Sequence, residues 1–170
     1  MRCCYWLLET FSNTIHVINK NINILYVDDE LNNLTSFKAT FRFKYNVYTC
    51  ISAEEAIHFL ANNNINIIIT DQRMPGMTGV EFLEKIIDIY PDPMRILLTG
   101  YTDIGAIIEA VNKGKIYHYL NKPWDEEELD STIQEAYKLY LQKQELKTHT
   151  ENLSVVNGQL EFLLRQKLLS

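Results

Sequence analysis

The 170-residue sequence has no long apolar run, few cysteines and no excess of basic residues. A membrane-spanning helix requires about 20 consecutive apolar residues, and no stretch approaches that length, so we expect no membrane partner. The formal net charge of −6 argues against nucleic-acid binding through a broad basic surface. Cys3, Cys4 and Cys50 make a poor disulfide framework and lack metal-ligand spacing, which favours a reducing, cytoplasmic location.

The sequence also lacks the signatures of several common structural and binding motifs. We find no internal repeat, no low-complexity segment, no helix-turn-helix with a basic recognition helix and no glycine-rich nucleotide loop. Residues 1–20 carry one early basic residue and a short apolar patch, but no small-residue cleavage site. We therefore interpret residues 1–20 as a poorly ordered extension rather than a signal peptide.

From residue 21 onward, short apolar runs alternate with helical patterns. We predict strands at Ile22–Val27, Asn46–Cys50, Ile65–Thr70, Met94–Thr99 and Ile116–Leu120. We predict helices at 31–43, after Ser52, at 79–90, at 102–112 and, as one long helix, after Pro123. Ser52 with Glu55 three residues later is typical of a capping box. Five apolar strands separated by helices predict a parallel α/β sheet with helices on both faces.

The last helix is longer than the sheet requires. Leucines recur every seven residues at Leu139, Leu146, Leu153 and Leu160, and the interleaved positions are Gln142, His149, Val156 and Leu163. This heptad pattern predicts a parallel dimeric coiled coil, although Gly158 weakens the helix by about 1 kcal/mol relative to alanine. The alternative is an amphipathic helix that folds back on its own domain. We accordingly divide the chain into a domain at 21–140 and a helical tail at 141–170.

Four of the predicted strands end next to a polar side chain. Asp28-Asp29, Asp71, Thr99 and Lys122 follow or close the first, third, fourth and fifth strands. Ligands of open α/β sheets bind beyond the carboxyl ends of the strands. If the first and third strands are neighbours, three carboxylates converge and repel one another unless a cation joins them. An all-oxygen set of this kind suits Mg²⁺ or Mn²⁺. Asp71 alone is equally typical of a turn cap.

These residue types point to phosphoryl transfer onto a carboxylate. Aspartate can act as a nucleophile that forms an acyl phosphate, and a divalent cation neutralises the charge that moves with the phosphoryl group. A hydroxyl from Thr99 and an ammonium from Lys122 are groups that a phosphoryl anion binds.

Four blocks carry a family resemblance: VDDE at 27–30, TDQRMPGMTGVEFL at 70–83, ILLTGYTD at 96–103 and YHYLNKPW at 117–124. Together they resemble the receiver domain of two-component response regulators, over about residues 22–140. The resemblance implies a flavodoxin-like, doubly wound five-stranded parallel sheet of order 2-1-3-4-5, here with a long C-terminal helix.

The resemblance also implies residue roles. Asp71 would be the phospho-acceptor, and Mg²⁺ would be held by Asp28, Asp29, Asp71 and the backbone carbonyl of Arg73. Thr99 would bond the phosphoryl group and Lys122 would pair with it. The remaining implied positions are the aromatic switch residue Tyr119, the small residue Gly100 and the cis-peptide partner Pro123.

The implied function is that of a phospho-accepting regulator in a two-component phosphorelay. Its expected partners are a sensor histidine kinase or phosphotransfer protein, an unidentified downstream protein and a second copy joined through the C-terminal helix. We do not expect an enzyme with a separate substrate, beyond intrinsic autophosphatase activity. A metal-dependent aspartyl-phosphate phosphatase would need a carboxylate two residues after Asp71, where Arg73 stands. A phosphorylation-independent scaffold and a fragment of a larger regulator are the alternatives.

Arg73 and Tyr101 flank the expected phosphoryl site, two residues after Asp71 and Thr99 respectively. A long cation at position 73 could pair with the acyl phosphate or obstruct an attacking water. We therefore expect Arg73 and Tyr101 to modulate the lifetime of the phosphorylated state, making it longer than at a small, open site.

Overall fold

A computed structural model describes residues 21–100, 104–112 and 114–168. The strands are β1 (Asn23–Val27), β2 (Asn46–Cys50), β3 (Ile67–Asp71), β4 (Met94–Thr99) and β5 (His118–Asn121). The helices are α1 (Leu31–Phe41), α2 (Ala53–Leu60), α3 (Gly79–Ile86), α4 (Ile104–Asn112) and α5 (Glu126–Leu168). The elements therefore alternate along the chain as the apolar pattern predicted.

The five strands form one parallel sheet in the order β2-β1-β3-β4-β5. β1 lies between β2 and β3, and Val27 pairs in register with both Cys50 and Thr70. On the other side of β3, Asp71 is in register with Leu98 of β4. The flavodoxin-like fold class and its strand order are thus confirmed, and β1 and β3 end side by side.

The sheet separates two apolar clusters, as alternating side-chain directions require. One cluster packs the sheet against α1 and α5, with Phe37, Leu129 and Ile133 all fully buried. The other packs the opposite face against α2, α3 and α4, with Phe82 and Leu83 fully buried. Because both faces are covered, the strands are almost wholly apolar, and polar residues are left for the strand ends.

Several element boundaries differ from the predicted ones by a few residues. β3 runs one residue further than predicted, so that Asp71 is its last residue. α3 ends at Ile86 rather than at residue 90, and the chain then forms a turn in which the Ile89 and Tyr90 backbone N–H groups both donate to the Ile86 carbonyl. The cap at Ser52 is confirmed by a hydrogen bond from the Glu55 backbone N–H to its hydroxyl. The Glu55 carboxylate, however, accepts from the Ile51 backbone N–H, so the second bond of a capping box is absent there.

Helix α5 covers 43 residues and passes well beyond the sheet. Its first part packs into the core, and then Lys143 donates to the Pro91 carbonyl and Lys147 to the Asp92 carboxylate, in the turn between α3 and β4. Residues 145–167 are all exposed. Within the described part of the chain, no helix is long and apolar enough to cross a membrane.

Candidate functional site

The carboxyl ends of four strands bring the predicted residues to one rim of the sheet. Asp28 directly follows β1, Asp71 closes β3, Thr99 closes β4 and Lys122 directly follows β5. Asp28, Asp71 and Thr99 are buried, at 0%, 7% and 2% exposure. Burial of polar groups at the rim contrasts with the apolar strands that lead to it, and buried charges require partners.

Lys122 joins the two buried aspartates. Its ammonium lies 2.7 Å from the Asp28 Oδ2 atom and 2.5 Å from the Asp71 Oδ1 atom. The Lys122–Pro123 peptide bond is cis, and the Lys122 backbone N–H donates to the Thr99 carbonyl at 2.8 Å. The Lys122 ammonium after β5 thus bridges Asp28, which follows β1, and Asp71, which closes β3.

The Asp28 carboxylate is surrounded by donors. Oδ1 accepts from the Glu30 backbone N–H at 2.9 Å and from the Asn33 side-chain amide at 3.0 Å. Oδ2 accepts from the Tyr26 hydroxyl at 2.6 Å and from Asn33 at 3.1 Å, besides Lys122. Four donor groups therefore fix the plane of this carboxylate.

The electrostatics of the rim follow from this network. Burial alone would raise the pKa of the Asp28 carboxyl, but the hydrogen bonds from Lys122, Tyr26, Glu30 and Asn33 outweigh it and hold that pKa below its ordinary value. Burial alone would lower the pKa of the Lys122 ammonium, whereas its bonds to the two aspartates raise it overall. Burial and the Asp28 carboxylate raise the pKa of the Tyr26 phenol. At neutral pH, Asp28 is an anion, Lys122 a cation and Tyr26 a neutral donor.

Asp71 is held less tightly than Asp28. Its Oδ2 atom accepts from the Arg73 backbone N–H at 2.7 Å, and the Arg73 side chain is exposed. The following loop is fastened by Gln72, whose side-chain oxygen accepts from the Val80 N–H and whose carbonyl accepts from the Gly79 N–H. The structure therefore fixes the backbone around Asp71, and Lys122 lies against its Oδ1 atom.

On the β4 side, the described rim ends in Thr99 and Gly100. The Thr99 hydroxyl donates to the Gly100 carbonyl at 2.8 Å, and a Cβ atom at Gly100 would meet nothing within 4 Å. Tyr119 on β5 is 38% exposed, and its ring stacks on His118 with the centroids 6.2 Å apart. Tyr101 lies outside the described residues.

The residues present fit a hard divalent cation. Two carboxylates from neighbouring strands already share one cationic group, which shows that the space between them favours positive charge, and an all-oxygen set is what Mg²⁺ prefers. Asp29 is exposed beside Asp28. Among the described residues, no cluster of three or more His, Cys, Asp or Glu side chains is gathered for a metal, so Asp29 and the Arg73 carbonyl remain predicted ligands.

Sequence reasoning missed four residues that shape this rim: Tyr26, Asn33, Gln72 and Gly79. Gly79 begins α3 against β3, and a Cβ atom there would lie 2.3 Å from the Asp71 carbonyl oxygen. Only the glycine in the TGVEFL block signals this close approach in the sequence. Tyr26 and Asn33 carry no comparable signal, because a tyrosine in a strand and an asparagine in a helix have many structural uses.

The sheet order and the Asp28–Lys122–Asp71 bridge define an α/β domain of the response-regulator receiver class. The family model described as the response regulator receiver domain matches residues 24–134, and the chain therefore belongs to this family. Receiver domains are generally non-enzymatic phospho-acceptors that interact with histidine kinases or phosphotransfer proteins.

Particular relatives support the assignment. The hydrogenase transcriptional regulatory protein HoxA of Cupriavidus necator is 40% identical over 118 residues, covering 69% of this chain and 24% of that protein. HoxA of Bradyrhizobium diazoefficiens is 32% identical over 144 residues, covering 85% of this chain and 30% of that protein. The chain thus spans less than a third of the length of these curated relatives.

Comparison with a solved structure supports the same fold. The crystal structure of a response regulator receiver domain protein from Clostridium thermocellum is 33% identical and superposes with a TM-score of 0.65. The match covers 69% of this chain and 94% of that one. The two chains therefore share the receiver fold.

Proposed function

We propose that this receiver accepts a phosphoryl group on Asp71 from a phosphohistidine donor, in a two-component phosphorelay. In the proposed step, an Asp71 carboxylate oxygen bonds to phosphorus while the phosphorus–nitrogen bond of the donor breaks, and the released imidazole takes up a proton. The observation that carries the proposal is the Lys122 ammonium, which bridges Asp28 and Asp71 at the rim.

The proposed cofactor is Mg²⁺, with Mn²⁺ as a substitute, held by Asp28, Asp29, Asp71 and the Arg73 carbonyl. When bound, such an ion supplies charge neutralisation for the phosphoryl oxygens. Lys122 lies within reach of Asp71 Oδ1 and supplies a second positive charge there. The Thr99 hydroxyl, which donates to the Gly100 carbonyl, would turn from that bond toward a phosphoryl oxygen. Tyr119 is the proposed switch residue that follows this movement.

The proposed output is a protein interaction, through the surface near β5 and through the tail of α5. We divide the chain for this purpose into an extension at 1–20, the receiver at 21–140 and the helical tail at 141–170. The tail supports pairing with a second copy because Leu153, Val156, Leu160 and Leu163 form a heptad seam and are all at least half exposed. We propose a cytoplasmic location for the whole assembly.

A second candidate follows from the lengths of the relatives. Because the chain spans less than a third of HoxA, the receiver is also compatible with control of a larger transcriptional regulator. In that case the tail would connect to further domains, and nucleic-acid contact would belong to those domains. A phosphorylation-independent scaffold is the remaining alternative, and the intact Asp28, Asp71 and Lys122 set speaks against it.

The experiment is incubation of the chain with acetyl phosphate, or with beryllofluoride as a phosphoryl mimic, with and without Mg²⁺. With acetyl phosphate we expect one Mg²⁺-dependent phosphoryl adduct by intact mass, lost in Asp71→Ala and kept in the control Asp88→Ala, which changes an exposed aspartate. Light scattering on the same samples measures association. Modification that persists in Asp71→Ala, or that never occurs in the wild type, contradicts the proposal.

Arg73 and Tyr101 are proposed to lengthen the lifetime of the acyl phosphate by hindering an in-line water. The Arg73 side chain is exposed, and the backbone N–H of the same residue donates to the Asp71 carboxylate. The double variant Arg73→Ala/Tyr101→Ala is expected to lose the phosphoryl group faster, as followed by intact mass over time. An unchanged dephosphorylation rate contradicts this role.

A further inference from the structure

The three acidic residues at the rim are held very differently. Asp28 has four donor groups around it, Asp71 has the Arg73 N–H and Lys122, and Asp29 is exposed. Two of the donors to Asp28, Tyr26 and Asn33, belong to none of the residues assigned to the phosphoryl chemistry. Their side chains nevertheless converge on a single carboxylate.

Tyr26 reaches Asp28 from the core. It lies in β1, is fully buried, and its ring stacks on Phe37 with the centroids 4.3 Å apart. Phenylalanine would fill this apolar space equally well, and a buried hydroxyl is unfavourable unless it is hydrogen-bonded. The Tyr26 hydroxyl makes its bond to Asp28 Oδ2 at 2.6 Å. The Tyr26 hydroxyl therefore contributes a hydrogen bond to the rim, whereas its ring contributes packing to the core.

Asn33 reaches Asp28 from the first turn of α1. A side chain at this third helical position can reach back to the backbone N–H of the residue before the helix, which here is Glu30. That N–H instead donates to Asp28 Oδ1, and the Asn33 amide spans both Asp28 oxygens at 3.0 and 3.1 Å. The Asn33 amide thus orients the Asp28 carboxylate and does not cap its own helix.

We infer that Tyr26 and Asn33 are positioning residues that fix the Asp28 carboxylate in the orientation in which it binds a divalent cation. This inference rests on the proposed function, in which Asp28 is a ligand of Mg²⁺. Groups that hydrogen-bond to a metal-binding side chain and orient it affect metal affinity strongly. Their loss typically weakens metal binding about 10–100-fold. Asp28 then serves as the rigid ligand, whereas the exposed Asp29 is left to adjust to the ion.

The test is Mg²⁺ titration by isothermal calorimetry on the full unphosphorylated chain. Tyr26→Phe and Asn33→Ala are each expected to raise the Mg²⁺ dissociation constant about tenfold or more. Matched controls are Asn32→Ala, an exposed neighbour on the same helix, and Tyr48→Phe, an exposed tyrosine on β2. Both controls are expected to bind as the wild type does. Circular dichroism without Mg²⁺ verifies that every variant is folded.

A kinetic measurement separates positioning from a merely structural role. With acetyl phosphate as donor, the Mg²⁺ concentration that gives half-maximal modification of Asp71 should rise in both variants more than the maximal rate falls. A dissociation constant within about twofold of the wild type in either variant overturns the inference. If the wild type itself binds no Mg²⁺ and Asp71 is not modified, the proposed function fails instead, so the two failures are distinguishable.

Discussion

Both halves of helix α5 are helical, but they differ in what stabilises them. In the first half, Leu129, Ile133 and Ala136 are fully buried against the sheet. In the second half, residues 145–167 are exposed on every side. Isolated helices gain little from propensity alone, and most helical stability in proteins comes from packing of an apolar face. The comparison indicates that the first half belongs to the receiver, whereas residues 145–167 gain no stability from packing against the described part of the chain.

The largest expected effect is on the packed half. Ile133→Ala removes a fully buried side chain and should lower the free energy of unfolding by about 2–5 kcal/mol. Urea denaturation followed by circular dichroism measures it. A loss below about 0.5 kcal/mol would mean that α5 contributes little to the core, and the contrast between the halves would disappear.

The next largest effect separates folding from association. Leu153→Ala/Leu160→Ala should leave receiver unfolding at low protein concentration unchanged within about 0.5 kcal/mol, because both leucines are exposed. The same variant should weaken self-association, as measured by sedimentation equilibrium. Destabilisation of the receiver as large as that in Ile133→Ala would show instead that the tail folds back on its own domain.

The pH dependence of stability tests a link between the packed half and Tyr45, the residue before β2. Burial and the hydrogen bond to Asp130 of α5 raise the pKa of Tyr45. A raised folded pKa stabilises the fold below the unfolded value of about 10, and this stabilisation is lost as the pH rises further. The free energy of unfolding should therefore fall above about pH 10. The fall should be smaller in Tyr45→Phe, but not in Tyr48→Phe. Equal alkaline losses in the two variants would refute the link.

The smallest effect concerns the exposed half alone. Gly158→Ala should stabilise the helical tail by about 1 kcal/mol, since a Cβ atom at this position meets no atom within 4 Å. Far-UV circular dichroism should show more helix, with no change in the unfolding of the receiver. A gain in receiver stability would mean that the two halves of α5 unfold together.

Much of the fold follows from local pattern. The isoleucines of β3 predicted a buried strand, and that strand ends at Asp71. The boundaries of α3 and β5 were less accurate, because apolar periodicity does not show where backbone hydrogen bonding changes, as it does where the Ile89 and Tyr90 N–H groups both donate to the Ile86 carbonyl. The rim residues were predictable because each stands at the end of an apolar run, but the order of the strands came from the family resemblance.

Tyr26 and Asn33 could not be predicted, because their role exists only after folding. Asn33 lies five residues beyond Asp28, yet its amide reaches both carboxylate oxygens only because α1 begins directly above the end of β1. The Lys122 bridge likewise joins residues 94 positions apart. Contacts of this kind leave no periodicity in the sequence.

Local features of the chain account for the α/β alternation, the polar residues at the strand ends and the heptad seam, since these depend on side-chain type and local spacing. The connections within the rim exist only in the folded chain. The fold places Lys122 between Asp28 and Asp71, sets Tyr26 and Asn33 on one carboxylate, and leaves residues 145–167 of α5 exposed. The reason is physical: buried charge must find its partners through space, and the sheet determines which strand ends are neighbours.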